Sequence, residues 1–279
     1  MGFEFVRELA AALSAGPIEL PSFPDVALRV QDVLADDSVS TDMVVRIVGA
    51  EPMLAARVVS LANSVAMNPT STPVTDLRTA VARLGFDSLR AAAVSFAISQ
   101  LGRRDEYRAI EPQLAKLWLD SVTMAASACV VARRCGRMSP DTALFAGLVA
   151  SVGRIYILTR AAAHPALFAD AGAYQAIVSE WHAGVARALL ESWNVADEVV
   201  DAVNAYETRN QETRPGSVLP DILAVAALLN LHRDAPDLLV DATRDSRALA
   251  RLGLNCADCC ELVGESAAEM ASLRAALGR

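Results

Sequence analysis

Histidine is scarce in this chain, and this limits the metal chemistry that the sequence can support. Only three histidines occur, at His164, His182 and His232. No two of them stand four residues apart, which is the spacing that places two imidazoles on one helix face to bind zinc. A zinc or iron site would therefore have to be assembled from distant parts of the chain.

Three of the five cysteines cluster near the C-terminal end, as Cys256, Cys259 and Cys260. The Cys-x-x-Cys spacing of Cys256 and Cys259 suits zinc if two more ligands converge on it, but no second pair follows nearby. The alternative is a set of buried, reduced thiols on a helix, and the odd number and uneven placement of the cysteines favour it. A glycine-rich phosphate loop and a Gly-x-Ser-x-Gly elbow are also absent from the sequence, so the standard enzyme classes gain no support.

The elements that must position these residues have the periodicity of helices. Apolar residues recur every three to four positions, and strand-like alternation is nowhere sustained. Two such series are Leu77, Val81 and Leu84, and Trp118, Val122 and Ala125. The tripeptide Ser139-Pro140-Asp141 predicts a helix start, because serine caps, proline fits the first turn and an acid suits the positive dipole end. We expect an all-α fold of about a dozen helices.

Composition narrows the class of protein further. Hydrophobic residues make up 53% of the 279 positions, but the longest apolar run, residues 222–229, is far below the roughly 18 residues of a membrane span. The opening MGFEFVRELAAALSAG contains spaced charges and predicts an amphipathic helix instead of a secretory signal, so we expect a cytoplasmic protein. The formal net charge of -8 disfavours binding to nucleic acid.

Three motifs follow one another in the first third of the chain: LPSFPDVALRVQDVL (residues 20–34), EPMLAARVVSLANS (51–64) and TSTPVTDLRTAVARLGFDSLR (70–90). In this order they resemble the N-terminal half of the HDOD family. The resemblance continues through AGLVASVGRIYIL (146–158) and on to about residue 207. It implies an all-helical, two-lobed bundle whose C-terminal lobe is related to the HD-superfamily metal phosphohydrolases. It also implies a bacterial signalling or regulatory role without a known reaction.

The related phosphohydrolases bind one or two divalent metals through a histidine, a later His-Asp pair and further downstream ligands. This chain departs from that pattern. At the matching positions it has Asp120 for the first histidine, Ala150-Ser151 for the His-Asp pair, and Tyr206-Glu207 where relatives often carry two more histidines. Alanine cannot ligate a metal and serine is a poor ligand, so only His182 survives among the imidazoles. The departures imply no catalytic residues, no metal and no cofactor.

The resemblance leaves a candidate pocket for a ligand or partner, formed by Asp120, Ser151, Arg154, His182, Tyr206 and Glu207. Several assignments in it stay open. His182 either lines the pocket or is a hydrogen-bonded histidine at a helix boundary. Asp120 and Arg154 either pair across the pocket or are solvated helix charges. Gly153 either permits a close helix approach or presents its backbone to a ligand.

Two functional hypotheses follow. The first is a non-catalytic bacterial regulatory module that binds a protein partner or a small signalling ligand. The second is a residual metal-dependent phosphohydrolase with atypical ligands such as Asp120, His182 and Glu207. The polar stretch at residues 102–112 predicts a boundary between an N-terminal helical lobe, residues 1–105, and a degenerate HD-like lobe with C-terminal helices, residues 106–279.

Overall fold

The computed structural model describes residues 2–20, 24–36, 38–68, 70, 72–207, 217–232, 235–244, 246–265 and 267–277. Within these ranges the regular secondary structure is helical and no β-strand occurs, which confirms the all-α fold expected from the periodicity. Residues 21–23 and 71, which belong to the first and third N-terminal motifs, lie outside the described residues.

In the described part of the chain, α-helices and two 3₁₀ helices follow one another, most of them through short connections. The N-terminal helices are Gly2–Ser14 (α1), Asp25–Leu34 (α2), Thr41–Gly49 (α3), Pro52–Ala62 (α4), Leu77–Arg83 (α5) and Phe86–Leu101 (α6). A short 3₁₀ helix, Asp105–Ile110, leads into the long helix Glu111–Cys135 (α7). The later elements are Pro140–Val149 (α8), Val152–Ala161 (α9), a 3₁₀ helix Pro165–Ala169, Ala171–Ser192 (α10), Asp197–Ala205 (α11), Leu219–Leu231 (α12), Pro236–Arg244 (α13), Arg247–Leu252 (α14), Cys256–Glu265 (α15) and Ala267–Leu277 (α16).

The start of α8 shows how the local sequence sets a helix boundary. The helix begins at Pro140 with Ser139 at the N-cap, as the tripeptide predicts. The Ser139 side chain makes no capping hydrogen bond, however. The carboxylate of Asp141 instead accepts a hydrogen bond from the hydroxyl of Ser88 in α6, at 2.9 Å. The acid of the first turn therefore ties α8 to a neighbouring helix.

The centre of the fold is the contact between α7 and α8, both of which are largely buried. Gly147 makes this contact close, because a Cβ added there would lie 2.7 Å from the Cα of Ala125. Real Cβ atoms essentially never come within 3.0 Å of another heavy atom. Small residues on both helices therefore set their separation.

The segment at the expected lobe boundary is ordered around two buried side chains. Tyr107 and Ile110 of the 3₁₀ helix are buried, so the polar stretch at residues 102–112 is anchored to the core. At the C-terminal end, α16 packs on α4 and α6 as well as on α7. The division at residues 105 and 106 remains a prediction.

Two described segments have the length and hydropathy of a membrane span, 105–135 and 140–161. About two thirds (67%) of the first apolar window and 83% of the second are buried inside the fold. Burial of this extent is typical of core helices in a soluble protein, where apolar faces pack against other helices.

Candidate functional site

The candidate site begins with the close packing of α9 against α10. A Cβ added at Gly153 would lie 2.0 Å from the backbone oxygen of His182 and 3.0 Å from the nitrogen of Ala186. Only glycine permits the two backbones to approach this closely. The role of Gly153 is therefore to permit this helix packing. Because Arg154 directly follows Gly153 in α9, the same packing sets the position of Arg154 relative to His182.

Arg154, His182 and Glu207 converge from three parts of the chain. The Nη2 atom of Arg154 lies 2.8 Å from Oε1 and 2.9 Å from Oε2 of Glu207. The Nε2 atom of His182 lies 3.0 Å from Oε2 of Glu207 and 3.4 Å from Nη2 of Arg154. His182 is buried, whereas about a quarter of the Arg154 side chain and a third of the Glu207 side chain are exposed (26% and 33%). The three groups thus form a polar cluster that opens to solvent on the side of the ion pair.

Tyr206 completes this cluster. Its hydroxyl donates to Oε1 of Glu207 at 2.6 Å, so the two carboxylate oxygens together receive four contacts from donors. Burial, together with the charge of Glu207, raises the pKa of Tyr206 well above its ordinary value. The hydroxyl therefore keeps its proton and acts as a donor. We refer to Arg154, His182, Tyr206 and Glu207 as the Glu207 cluster.

The ionised state of Glu207 follows from opposing effects. Burial by itself would raise the pKa of Glu207, but the hydrogen bonds from His182 and Tyr206 and the charge of Arg154 outweigh it and lower the pKa to about 2. Both carboxylate oxygens therefore accept a hydrogen bond from Arg154, and Oε1 also accepts one from Tyr206. Nε2 of His182 donates to Oε2 of Glu207 in the tautomer that carries its proton there, and accepts from Nη2 of Arg154 in the other tautomer.

The other predicted site residues are not part of this cluster. Asp120 lies on α7 and is exposed, and within the described ranges no hydrogen bond or ion pair joins it to Arg154. Arg154 pairs with Glu207 instead. Ser151 is the N-cap residue of α9, half-buried, and its side chain makes no capping hydrogen bond, while Ala150 is buried. Four of the six predicted residues therefore meet, and Asp120 and Ser151 lie outside their hydrogen-bond network.

The ligand chemistry of the cluster does not fit a metal ion. Both oxygens of Glu207 already accept hydrogen bonds from Arg154, Oε1 also accepts one from Tyr206, and the cation Arg154 already neutralises the carboxylate. Across the described part of the chain, no group of three or more His, Cys, Asp or Glu side chains is arranged to hold a metal.

The cysteine motif forms part of helix α15. All five cysteines are free thiols, with Cys259 and Cys129 buried and Cys260 exposed. Burial, as the largest effect at each, raises the pKa of Cys129 and of Cys259 to about 12. These two thiols therefore stay protonated at neutral pH. Of the three cysteines expected to be buried on this helix only Cys259 is, since Cys256 is half-buried and Cys260 is exposed.

The sequence as a whole matches a known family. It matches the HDOD domain over residues 20–208, more than half of the chain, and the chain belongs to this family. The HDOD family is related to the HD phosphohydrolases, and membership of it fits a regulatory role. A comparison with curated proteins finds no match.

Solved structures share the fold over nearly the whole chain. A protein from Shewanella amazonensis SB2B, provisionally named a metal-dependent phosphohydrolase, is 25% identical, with 99% of each chain covered and a TM-score of 0.78. An HDOD domain protein of unknown function from Geobacter sulfurreducens is 24% identical, with 95% of this chain and 96% of that chain covered and a TM-score of 0.67. A protein from Marinobacter aquaeolei VT8, provisionally named a signal transduction protein, is 20% identical, with 99% of this chain and 65% of that chain covered and a TM-score of 0.62. The similarity to the last two proteins is a similarity of fold alone.

Proposed function

We propose that this chain is a non-catalytic, cytoplasmic regulatory module of a bacterial signalling pathway, and that it binds a protein partner or a small signalling ligand at the Glu207 cluster. The observation that carries the proposal is the pairing of Arg154 with Glu207. A guanidinium holds the carboxylate that would otherwise be free to ligate a metal, so a fixed positive charge is already present where catalysis would need an exchangeable ion.

The exposed side of the cluster supports the binding role. Arg154 and Glu207 are each partly exposed to solvent, while His182 and Tyr206 contact the carboxylate of Glu207. Arginine offers five N–H donors in a rigid fork, and only its Nη2 group is used by Glu207. A polar ligand or partner side chain can therefore bind the free edge of the guanidinium without breaking the cluster.

The alternative function, a residual metal phosphohydrolase, would use Asp120, His182 and Glu207 as ligands. Asp120 is exposed and unconnected to the other two by any hydrogen bond or ion pair of the described residues. Losing several ligands at once removes most of the free energy of metal binding, because each contributes to the same ion.

Metal content and turnover separate the two functions. Protein purified without chelator is analysed for bound metals and assayed with manganese on cyclic dinucleotides and nucleoside monophosphates. We expect far less than stoichiometric metal and no metal-dependent turnover. Arg154→Met, which frees Glu207, should not create activity, with Arg160→Met of the exposed end of α9 as the matched control. A stoichiometric metal with metal-dependent turnover in the unmodified protein would establish the enzyme and reject the module.

Binding is tested with the same nucleotides, using the fluorescence of Trp181, the neighbour of His182 in α10. His182→Ala should weaken binding more than it lowers stability, so binding should be reduced at temperatures where circular dichroism shows the variant to be fully folded. Unchanged binding together with a loss of several degrees would show that His182 has only a structural role.

A further inference from the structure

Two thiols lie side by side at the beginning of helix α15. Cys256 is the first residue of the helix and Cys260 follows four positions later, so the two share one face, with their Cβ atoms about 5–6 Å apart. Cys256 is half-buried and Cys260 is exposed, whereas Cys259 is buried. Partial desolvation, and next the neighbouring Cys256 with which it shares a hydrogen bond, raise the pKa of Cys260. We refer to Cys256 and Cys260 as the thiol pair.

The first turn of α15 is fixed from two directions. Oδ1 of Asn255 accepts hydrogen bonds from the backbone nitrogens of Ala257 at 2.8 Å and Asp258 at 3.2 Å, and Oδ2 of Asp258 accepts one from the nitrogen of Asn255 at 2.9 Å. From α7, Nη2 of Arg134 donates to Oδ1 of Asp258 at 2.8 Å and to Oε2 of Glu261 at 2.7 Å. Because a helix has 3.6 residues per turn, these two acids lie on the side opposite to the thiol pair. The turn that carries the pair is therefore held in place while the pair itself stays accessible.

The spacing of the thiol pair favours one kind of ligand. A disulfide brings the Cβ atoms to about 3.5–4.5 Å, which is closer than their spacing along a helix. A structural zinc ion needs four ligands, and in the described part of the chain no third His, Cys, Asp or Glu joins the pair in a metal-binding group. An ion with two ligands in a line needs only the pair. Two metal–sulfur bonds of about 2.3 Å place the sulfur atoms about 4.6 Å apart, close to the separation of the Cβ atoms that carry them.

We propose that the thiol pair binds one soft monovalent metal ion of the Cu(I) class through two thiolates. Thiolates are soft ligands, and soft ligands select Cu(I). On binding, each thiol releases its proton to solvent and no electron is transferred, so the ion and the two thiolates together carry one negative charge. The positive end of the α15 helix dipole stabilises that charge. The site lies on α15, outside the Glu207 cluster, and it does not depend on the proposed function.

The test is an anaerobic titration of the full chain with Cu(I), in competition with the chelator bicinchoninate and with ascorbate as the reductant. Because two ligands hold an ion less firmly than four, we expect the purified protein to be largely free of copper and to take one Cu(I) per chain from the chelator. X-ray absorption should show two sulfur neighbours of the bound ion. Cys256→Ser and Cys260→Ser should each weaken binding by more than about a hundredfold, since loss of an outer partner of a ligand already costs about 10–100-fold. Cys135→Ser, at a half-buried thiol of α7, is the matched control and should leave binding unchanged.

The outcomes are distinct. Cys260 is exposed, so its serine variant keeps the fold and the test stands even where Cys256→Ser destabilises the protein. Binding that both variants weaken and the control preserves supports the site. Failure of the unmodified chain to take Cu(I) from the chelator overturns it. Binding that depends on Cys260 but not on Cys256 also overturns it, because a single exposed thiol would then hold the ion.

Discussion

Substituting Gly153 by alanine tests the packing that positions His182. The added Cβ would lie 2.0 Å from the His182 oxygen, where at least 3.0 Å is needed, so the α9 and α10 backbones must separate by about 1 Å. Overpacking of a core costs about 1–3 kcal/mol and occasionally more, and a backbone atom of a long helix cannot rotate away. Alanine recovers about 1 kcal/mol of helix propensity. A clash this close should cost about 3 kcal/mol or more, so the net loss in the free energy of unfolding should be roughly 2–3 kcal/mol.

The assay is urea unfolding of the variant beside the unmodified protein, followed by circular dichroism. A loss of this size corresponds to a fall of roughly 4–12 °C in melting temperature for a chain of this length. Gly184→Ala is the matched control, since Gly184 lies in α10 with no neighbour within 4 Å of an added Cβ. The control should be stabilised by about 0.5–1 kcal/mol. If Gly153→Ala were as stable as the unmodified protein, the close approach of α9 and α10 would be wrong.

Three further predictions concern charges and thiols. Because the pKa of Glu207 is lowered from 4.5 to about 2, its stabilising contribution is complete above about pH 4.5 and is lost as the pH falls toward 2. In urea unfolding at a series of pH values, the difference in stability between the unmodified protein and Glu207→Gln should therefore shrink from pH 4.5 to pH 2. Arg251→Met removes the guanidinium that binds both oxygens of the buried Asp221 and should lower the free energy of unfolding by about 2–3 kcal/mol, whereas an unchanged value would mean that the pair contributes no stability. Cys129 and Cys259 should not react with Ellman's reagent until the protein unfolds, and titration of all five thiols in the native state would contradict their burial.

The predictability of the candidate site differs from residue to residue. His182, Tyr206 and Glu207 could be identified because the family resemblance aligns them with ligand positions, and the same alignment failed to show that Asp120 is exposed. The sequence gives no sign that Arg57, the one charged residue of the apolar helix α4, donates a hydrogen bond to Ser95 of α6, because 38 residues separate the two and no local pattern encodes such a contact.

The sequence by itself determined the helices and the family. Helix formation depends on residues within a few positions of one another, so the apolar period and a start such as Pro140 are readable from the chain. Tertiary structure alone decided that Arg154 pairs with Glu207, 53 residues away, and that Gly153 packs on the backbone of His182. Those contacts depend on how helices approach and which rotamers the approach permits, and these are properties of the assembled core that sequence spacing does not contain.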